Sequence, residues 1–205
     1  MIYIIVFVFT ACQWNAPANN AATDSIAIAK DSLIHCDSLF AYADGTNAQV
    51  TFGSDTTVKG KRIDTKGVDP QSLIMFAKTL IGTPYSYGSI DPKVGFDCSG
   101  FITYVFSCFN IAVPRSSIDF TQVGTTVPVD SARLGDLILF TGTNPAEKNV
   151  GHMGLVVSND TTGLQFIHST SGKKWGVTIS PLDEYYKKRF VRVGRVFYPS
   201  SAKRS

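Results

Sequence analysis

Hydrophobic and polar positions divide this chain into an irregular N-terminal third and a strongly patterned remainder. An unbroken apolar run covers residues 2–11, followed by a small, polar stretch at 13–23. Residues 25–42 carry Ile26, Ile28, Leu33, Ile34, Leu39 and Phe40 at roughly helical spacing, while 46–66 is rich in Thr, Gly, Lys and Asp and reads as loop or weak strand. The pattern sharpens at Asp69-Pro70-Gln71, which opens a predicted helix through Leu73, Ile74, Phe76, Ala77 and Leu80 that stops at Gly82, with Pro84 following. A second helix, 99–109, has apolar or aromatic residues on every side, so it must be covered all round; Asn110 and Pro114 bound it. The rest reads as short strands at 137–140, 152–158, 164–169, 177–179 and 190–197. Turn residues separate them, notably at 142–145 and 159–163. Helices first and antiparallel strands after is an α+β order, with the N-terminal helices packed on the sheet.

Composition limits what this domain is for. With 205 residues, 44% hydrophobic and 17% charged, the chain suits one compact domain plus an appendage. A net charge of +3, with no basic run longer than Lys187-Lys188-Arg189, gives a nucleic-acid reading no support. The apolar run at 2–11 falls short of the roughly 20 residues that span a bilayer but suits the core of an export signal. It ends at Phe9-Thr10-Ala11-Cys12, which resembles the lipobox of bacterial lipoproteins and makes Cys12 the expected lipidation site. The expected organisation is an export signal over 1–12, a tether and extension over 13–69, a catalytic domain over 70–198 and a tail over 199–205. It places the protein in the cell envelope, in the periplasm or at the outer membrane, held to the membrane by a lipid anchor.

The chemistry concentrates at Phe96-Asp97-Cys98-Ser99-Gly100-Phe101. A thiol at a helix N-terminus meets the positive end of the macrodipole and unpaired backbone amides, both of which favour the thiolate. Asp97 suits the N-cap, and Ser99 and Gly100 keep the approach open. Cys108, ten residues on in the same apolar segment, reads as core filler. Roughly 15 Å of helix separates it from Cys98, so the two cannot bridge. Cys36 beside His35 remains, and a Cys36–Cys108 disulfide is disfavoured.

Two histidines lie downstream in strand-like sequence, the arrangement of a cysteine served by an imidazole base. If 159–163 is the loop and Ser158 faces Leu164, then Gly154 faces His168 and His152 faces Thr170. In that register His152 and His168 are diagonal neighbours on one face, within reach of two imidazole rings. A one-residue slip would put them on opposite faces. One ring then accepts the thiol proton and the other holds its tautomer. Neither CxxC nor HxxxH occurs, so no metal site and no cofactor is expected.

Five ordered elements now stand together: Gly82-Thr83-Pro84-Tyr85-Ser86-Tyr87-Gly88, the Cys98 stretch, Gly135-Asp136-Leu137, Gly151-His152-Met153-Gly154 and Phe166-Ile167-His168. Over residues 70–197 the chain resembles the NlpC-type family of bacterial cell-wall cysteine endopeptidases, which have a reduced papain-like fold. The resemblance implies Cys98 as nucleophile, His152 as base, His168 as its orienting residue and Tyr85 beside the thiolate, aiding the oxyanion together with the Cys98 amide. It also implies Asp97 and Ser99 as contacts for the free amine of a substrate L-alanine. Short of the paired upstream domains that usually complete that amine pocket, residues 12–69 leave the amine preference open. The expected activity is cleavage between γ-D-glutamate and an L-diamino acid in peptidoglycan stem peptides, by a monomer. An N-acetylmuramoyl-L-alanine amidase or acyltransferase on the same thiol, and a non-catalytic cell-wall binding module, stay as alternatives.

Overall fold

The protein is described by a computed structural model over residues 62–144 and 146–198. Cys12, the extension as far as Lys61, Cys36 and the tail from 199 lie outside the described residues.

Helix α1, Pro70–Thr79, starts where the sequence sets it: the Asp69 carboxylate accepts from the amides of Gln71 and Ser72, both at 3.2 Å, with Pro70 pre-set for the first turn. It buries Leu73, Ile74, Phe76 and Ala77. Helix α2, Cys98–Ser107, is buried from Ser99 through Phe106 and forms the centre of the domain. A 3₁₀ segment, Ser117–Gln122, then leads into the sheet.

Six antiparallel strands make that sheet: β1 (Thr125–Val127), β2 (Leu137–Thr141), β3 (Val150–Asp160), β4 (Gly163–Thr170), β5 (Gly176–Pro181) and β6 (Phe190–Arg195), in the order β1-β6-β2-β3-β4-β5. A one-turn helix α3, Glu184–Lys187, precedes β6. One sheet face, with Leu139, Met153, Leu155 and Ile167, packs against α1 and α2. The other gathers Ile138, Phe140, Val156, Phe166 and Val193 into a second apolar cluster beneath Leu182, Tyr186 and Phe190. Covered on both faces, β2 reads as an unbroken apolar run rather than an alternation.

Two buried polar contacts hold this layout. Asp136, ahead of β2, pairs with Arg195 at the end of β6 (2.9 and 3.2 Å) and accepts the Arg133 amide at 2.8 Å. The Ser169 hydroxyl of β4 donates to the Phe96 carbonyl at 2.7 Å, tying the sheet to the segment just before α2.

The expected α+β order stands, with differences. Strand β1 and helix α3 were not expected, being too short to show a period. Cys108 is core-buried as expected, yet it is disulfide-bonded, and its partner lies outside the described residues. The sequence disfavoured a Cys36–Cys108 bond because Cys36 stands in a stretch of weak pattern.

Candidate active site

The N-terminus of α2 is built by its own sequence. Asp97 caps it, its Oδ1 accepting the Gly100 amide at 2.5 Å, which leaves the amides of Cys98 and Ser99 turned toward the Cys98 sulfur. The thiol rests against β3 on both sides of His152: Sγ lies 3.9 Å from the Gly151 carbonyl oxygen, and the Met153 amide also reaches it. Helix and sheet thus bring Cys98 and His152 together across 54 residues of sequence.

The two histidines meet as the register predicted. Nε2 of His152 is 2.9 Å from Nδ1 of His168, with the ring planes at 82°. Leu155 pairs with Ile167 and Val156 with Phe166, a register that places Gly154 opposite His168. Only glycine fits there, because a Cβ on Gly154 would lie 2.7 Å from the Ile167 carbonyl oxygen and 3.2 Å from the His168 Cβ. His168 is fully buried, and its other nitrogen, Nε2, is 3.0 Å from the Ser180 hydroxyl on β5. Tyr186 lies across both imidazoles, stacked over His152 (6.3 Å, 22°) and edge-on to His168 (5.6 Å).

Tyr85 shares the cleft with Cys98 because its segment is stitched to two others. Its amide donates to the Trp175 carbonyl at 3.3 Å, the Phe96 amide donates to the Pro84 carbonyl at 3.0 Å, and Tyr85 and Phe96 form a parallel bridge. Gly176 permits this contact: its φ is +155°, and a Cβ there would strike the Thr83 carbonyl oxygen. Burial, then the neighbouring Cys98 and Asp97 charges, raises the Tyr85 phenol, so it is a hydrogen-bond donor at neutral pH.

The electrostatics depart from the sequence expectation. Burial, and next the Asp97 carboxylate, pushes the Cys98 thiol up to about 11, although the Ser99, Cys98 and Met153 amides pull the other way. Burial likewise holds His152 well below the usual imidazole range, helped by the His168 and Arg189 charges. His168 falls to about 3, through burial and then Arg189. The helix terminus was expected to favour the thiolate; desolvation, and after it the capping carboxylate, act in the opposite sense and favour the neutral thiol.

Asp97 and Ser99, the expected contacts for a substrate amine, both meet Arg115. The Asp97 carboxylate pairs with Arg115 at 2.7 and 3.1 Å, and Arg115 Nη1 also donates to the Ser99 hydroxyl at 3.0 Å. Both residues are buried, and neither lines the cleft. The cleft, about 930 Å³, is lined instead by Tyr85, Cys98, His152, Ser180, Tyr186 and Arg189, with Lys173 and Lys174 at its wall. That volume takes several residues of an extended peptide. Among the described residues no cluster of three His, Cys, Asp or Glu side chains could hold a metal.

Arg115, Ser180 and Tyr186 escaped the sequence reading. Arg115 has no periodic context, although it directly follows the Pro114 that bounds α2. Ser180 lay one residue beyond the strand expected at 177–179. A signal existed for it, since Thr178 faces His168 and alternation along β5 puts Ser180 on the same face.

The NlpC/P60 family profile matches residues 82–195. A Bacillus subtilis protein named gamma-D-glutamyl-L-lysine dipeptidyl-peptidase is 30% identical over 127 residues, 62% of this chain and 41% of that one. The probable endopeptidase NlpC of Escherichia coli K12 is 36% identical over 117 residues, 56% of this chain and 70% of that one. The crystal structure of an NlpC/P60 family protein from Bacillus cereus matches with a TM-score of 0.55 and 27% identity, over 63% of this chain and 40% of its own. The chain spans less than half the length of its Bacillus subtilis relatives. The fold is the reduced papain-like one that the sequence resemblance implied, a thiol-bearing helix laid on an antiparallel sheet that carries the imidazoles. The family profile extends from the Tyr85 segment through β6 and so encloses the thiol, both histidines and the cleft between them, and the chain belongs to the NlpC/P60 family.

Proposed function

We propose that the protein is a peptidoglycan hydrolase, a cysteine endopeptidase that cleaves stem peptides between γ-D-glutamate and an L-diamino acid. The observation that carries this reading is the Cys98 thiol resting on the β3 backbone either side of His152, with His168 2.9 Å behind that imidazole. Family membership and the name of the Bacillus subtilis relative support the substrate class. The cleft's Lys173, Lys174 and Arg189 suit a peptide that carries free carboxylates.

The chemistry follows from neutral reactants. With Nε2 of His152 engaged by His168, Nδ1 is left to take the thiol proton as sulfur attacks the γ-carbonyl carbon. Negative charge gathers on the carbonyl oxygen beside the Cys98 amide and the Tyr85 phenol. The C–N bond breaks as His152 returns the proton to the departing amine, leaving a γ-glutamyl thioester. Water then adds to the thioester carbonyl, giving its proton to His152, and the C–S bond breaks with return of that proton to sulfur. Because proton and charge move together, a thiol raised to about 11 need not ionise beforehand.

Defined muropeptides incubated with the protein and read by mass spectrometry test the assignment. Products ending at γ-D-glutamate, absent with Cys98→Ala, are expected. Release of the whole stem peptide would establish an amidase instead, and no cleavage would leave a binding module or a different acyl transfer. The same reading makes the protein an exported monomer, lipidated at Cys12 in the cell envelope. A palmitate-analogue label that depends on Cys12 is expected, and its absence overturns the anchor.

A further inference from the structure

A pair of hydrogen-bonded neutral imidazoles can run in either of two directions, and only one makes a base. If His152 Nε2–H donates to His168 Nδ1, then His152 Nδ1 carries the lone pair that a thiol proton needs. If instead His168 Nδ1–H donates to His152 Nε2, His152 Nδ1 holds a hydrogen and cannot accept one. The 2.9 Å separation between the rings fits both directions.

The choice is made at the far nitrogen of His168. In the productive direction Nε2 carries a hydrogen, and with the ring fully buried that hydrogen needs a protein acceptor. The acceptor in place is the Ser180 hydroxyl oxygen, at 3.0 Å. Ser180 is held there by β5, one pleat from the Thr178 that faces His168. The ring of Tyr186 covers both imidazoles, and its phenol lies on the Ser180 side of them. With its hydrogen turned away from the His168 ring, the Ser180 hydroxyl offers His168 its lone pairs.

We propose that Ser180 is a positioning residue that sets the tautomer of His168 and, through it, of His152, making a four-membered chain of Cys98, His152, His168 and Ser180. The chain also spreads the positive charge that appears when His152 takes a proton. His152 Nε2–H then leans harder on His168 Nδ1, and His168 Nε2–H leans harder on Ser180. Ser180 therefore acts on the step that charges His152 and contributes little to holding the peptide in the cleft. The catalytic consequence rests on the proposed role of His152; the tautomer itself does not.

Nitrogen-15 NMR of the imidazoles in histidine-labelled protein reads the tautomer directly, and steady-state kinetics on a muropeptide reads its effect. In the unmodified protein His168 is expected as the Nε2–H tautomer. Ser180→Ala is expected to move His168 toward the Nδ1–H tautomer and to lower kcat by about ten- to a hundredfold, the span set by an unsatisfied buried donor, with KM little changed. Ser180→Thr, which keeps the oxygen, is expected to recover most of kcat and the original tautomer. His168 carrying its hydrogen on Nδ1 in the unmodified protein would overturn the proposal, as would a Ser180→Ala variant with unchanged kcat. Should Ser180→Ala fail to fold, the unmodified protein's spectrum and Ser180→Thr still decide. Should no muropeptide be cleaved, the reading of function fails while the tautomer remains measurable on its own.

Discussion

Asp97 and Arg115 meet as a two-pronged ion pair at the start of α2, with oxygen-to-nitrogen distances of 2.7 and 3.1 Å, one residue before the thiol. The same carboxylate caps the helix through the Gly100 amide, so one side chain fixes the helix start, the post-helix loop and the negative charge beside Cys98. Both of its oxygens are engaged in these contacts.

Asp97→Ala should therefore cost stability more than substrate recognition. Losing an N-cap costs about 1 kcal/mol, and leaving Arg115 without its partner adds to this, for a total of about 2 to 4 kcal/mol. Urea denaturation checks the figure. The ratio of kcat/KM for stem peptides with a free and an acetylated N-terminal L-alanine should stay the same in Asp97→Asn. A ratio that collapses toward one would show that Asp97 does read the amine.

Gly154 is the second sensitive point. An alanine methyl there would press on the Ile167 carbonyl and the Phe166 ring, which are backbone and core and cannot swing away. Overpacking of this kind costs about 1 to 3 kcal/mol, and the strand separation it forces falls where the two imidazoles meet. Gly154→Ala is expected to fold with a lowered urea midpoint, and at a temperature where it remains folded its kcat should drop at least tenfold. Full activity in the folded variant would mean that the strands can part without parting the rings.

Burial of neutral histidines makes stability depend on pH in a definite sense. The unfolded chain titrates His168 near 6.5 and the folded protein only at about 3, so between those values the unfolded state binds the extra proton. Stability is complete above about pH 6.5 and falls as pH drops, by about 1.4 kcal/mol per pH unit for this one group once well below that value. His152, also held low, steepens the slope. Denaturation midpoints between pH 4 and 7 check the sign, and His168→Gln should flatten the dependence.

The histidine register was legible in the sequence through an offsetting pair of departures. The expected five-residue loop at 159–163 is a two-residue turn, Thr161-Thr162, with Asp160 facing Gly163, so near the turn every pairing is one residue off. A bulge between Val156 and Ser158 absorbs that residue, and beyond it the predicted pairing holds. Alternation alone cannot locate a bulge, because the apolar residues around it are buried on both faces and carry no inside-outside signal. Helices α1 and α2 were legible because their caps and apolar faces are local. Arg115 and Ser180 were not, since their roles come from partners 16 to 18 and 12 residues away that only the folded chain brings close.

Thiol reactivity separates a resting ion pair from a neutral thiol and imidazole. A preformed thiolate and imidazolium would alkylate at a rate nearly independent of pH from about 5 to 8. A thiol raised to about 11 beside a neutral imidazole exposes a thiolate fraction that grows tenfold with each pH unit. Iodoacetamide should therefore modify Cys98 slowly at pH 6 and about tenfold faster per unit from pH 7 to 10, as followed by intact mass. Asp97→Asn removes a negative charge beside the sulfur and should shift that profile toward lower pH, whereas Tyr85→Phe, which removes a donor near the thiolate, should not. A flat profile with fast labelling at pH 6 would instead assign the resting state to an ion pair and place the helix terminus above burial in setting it.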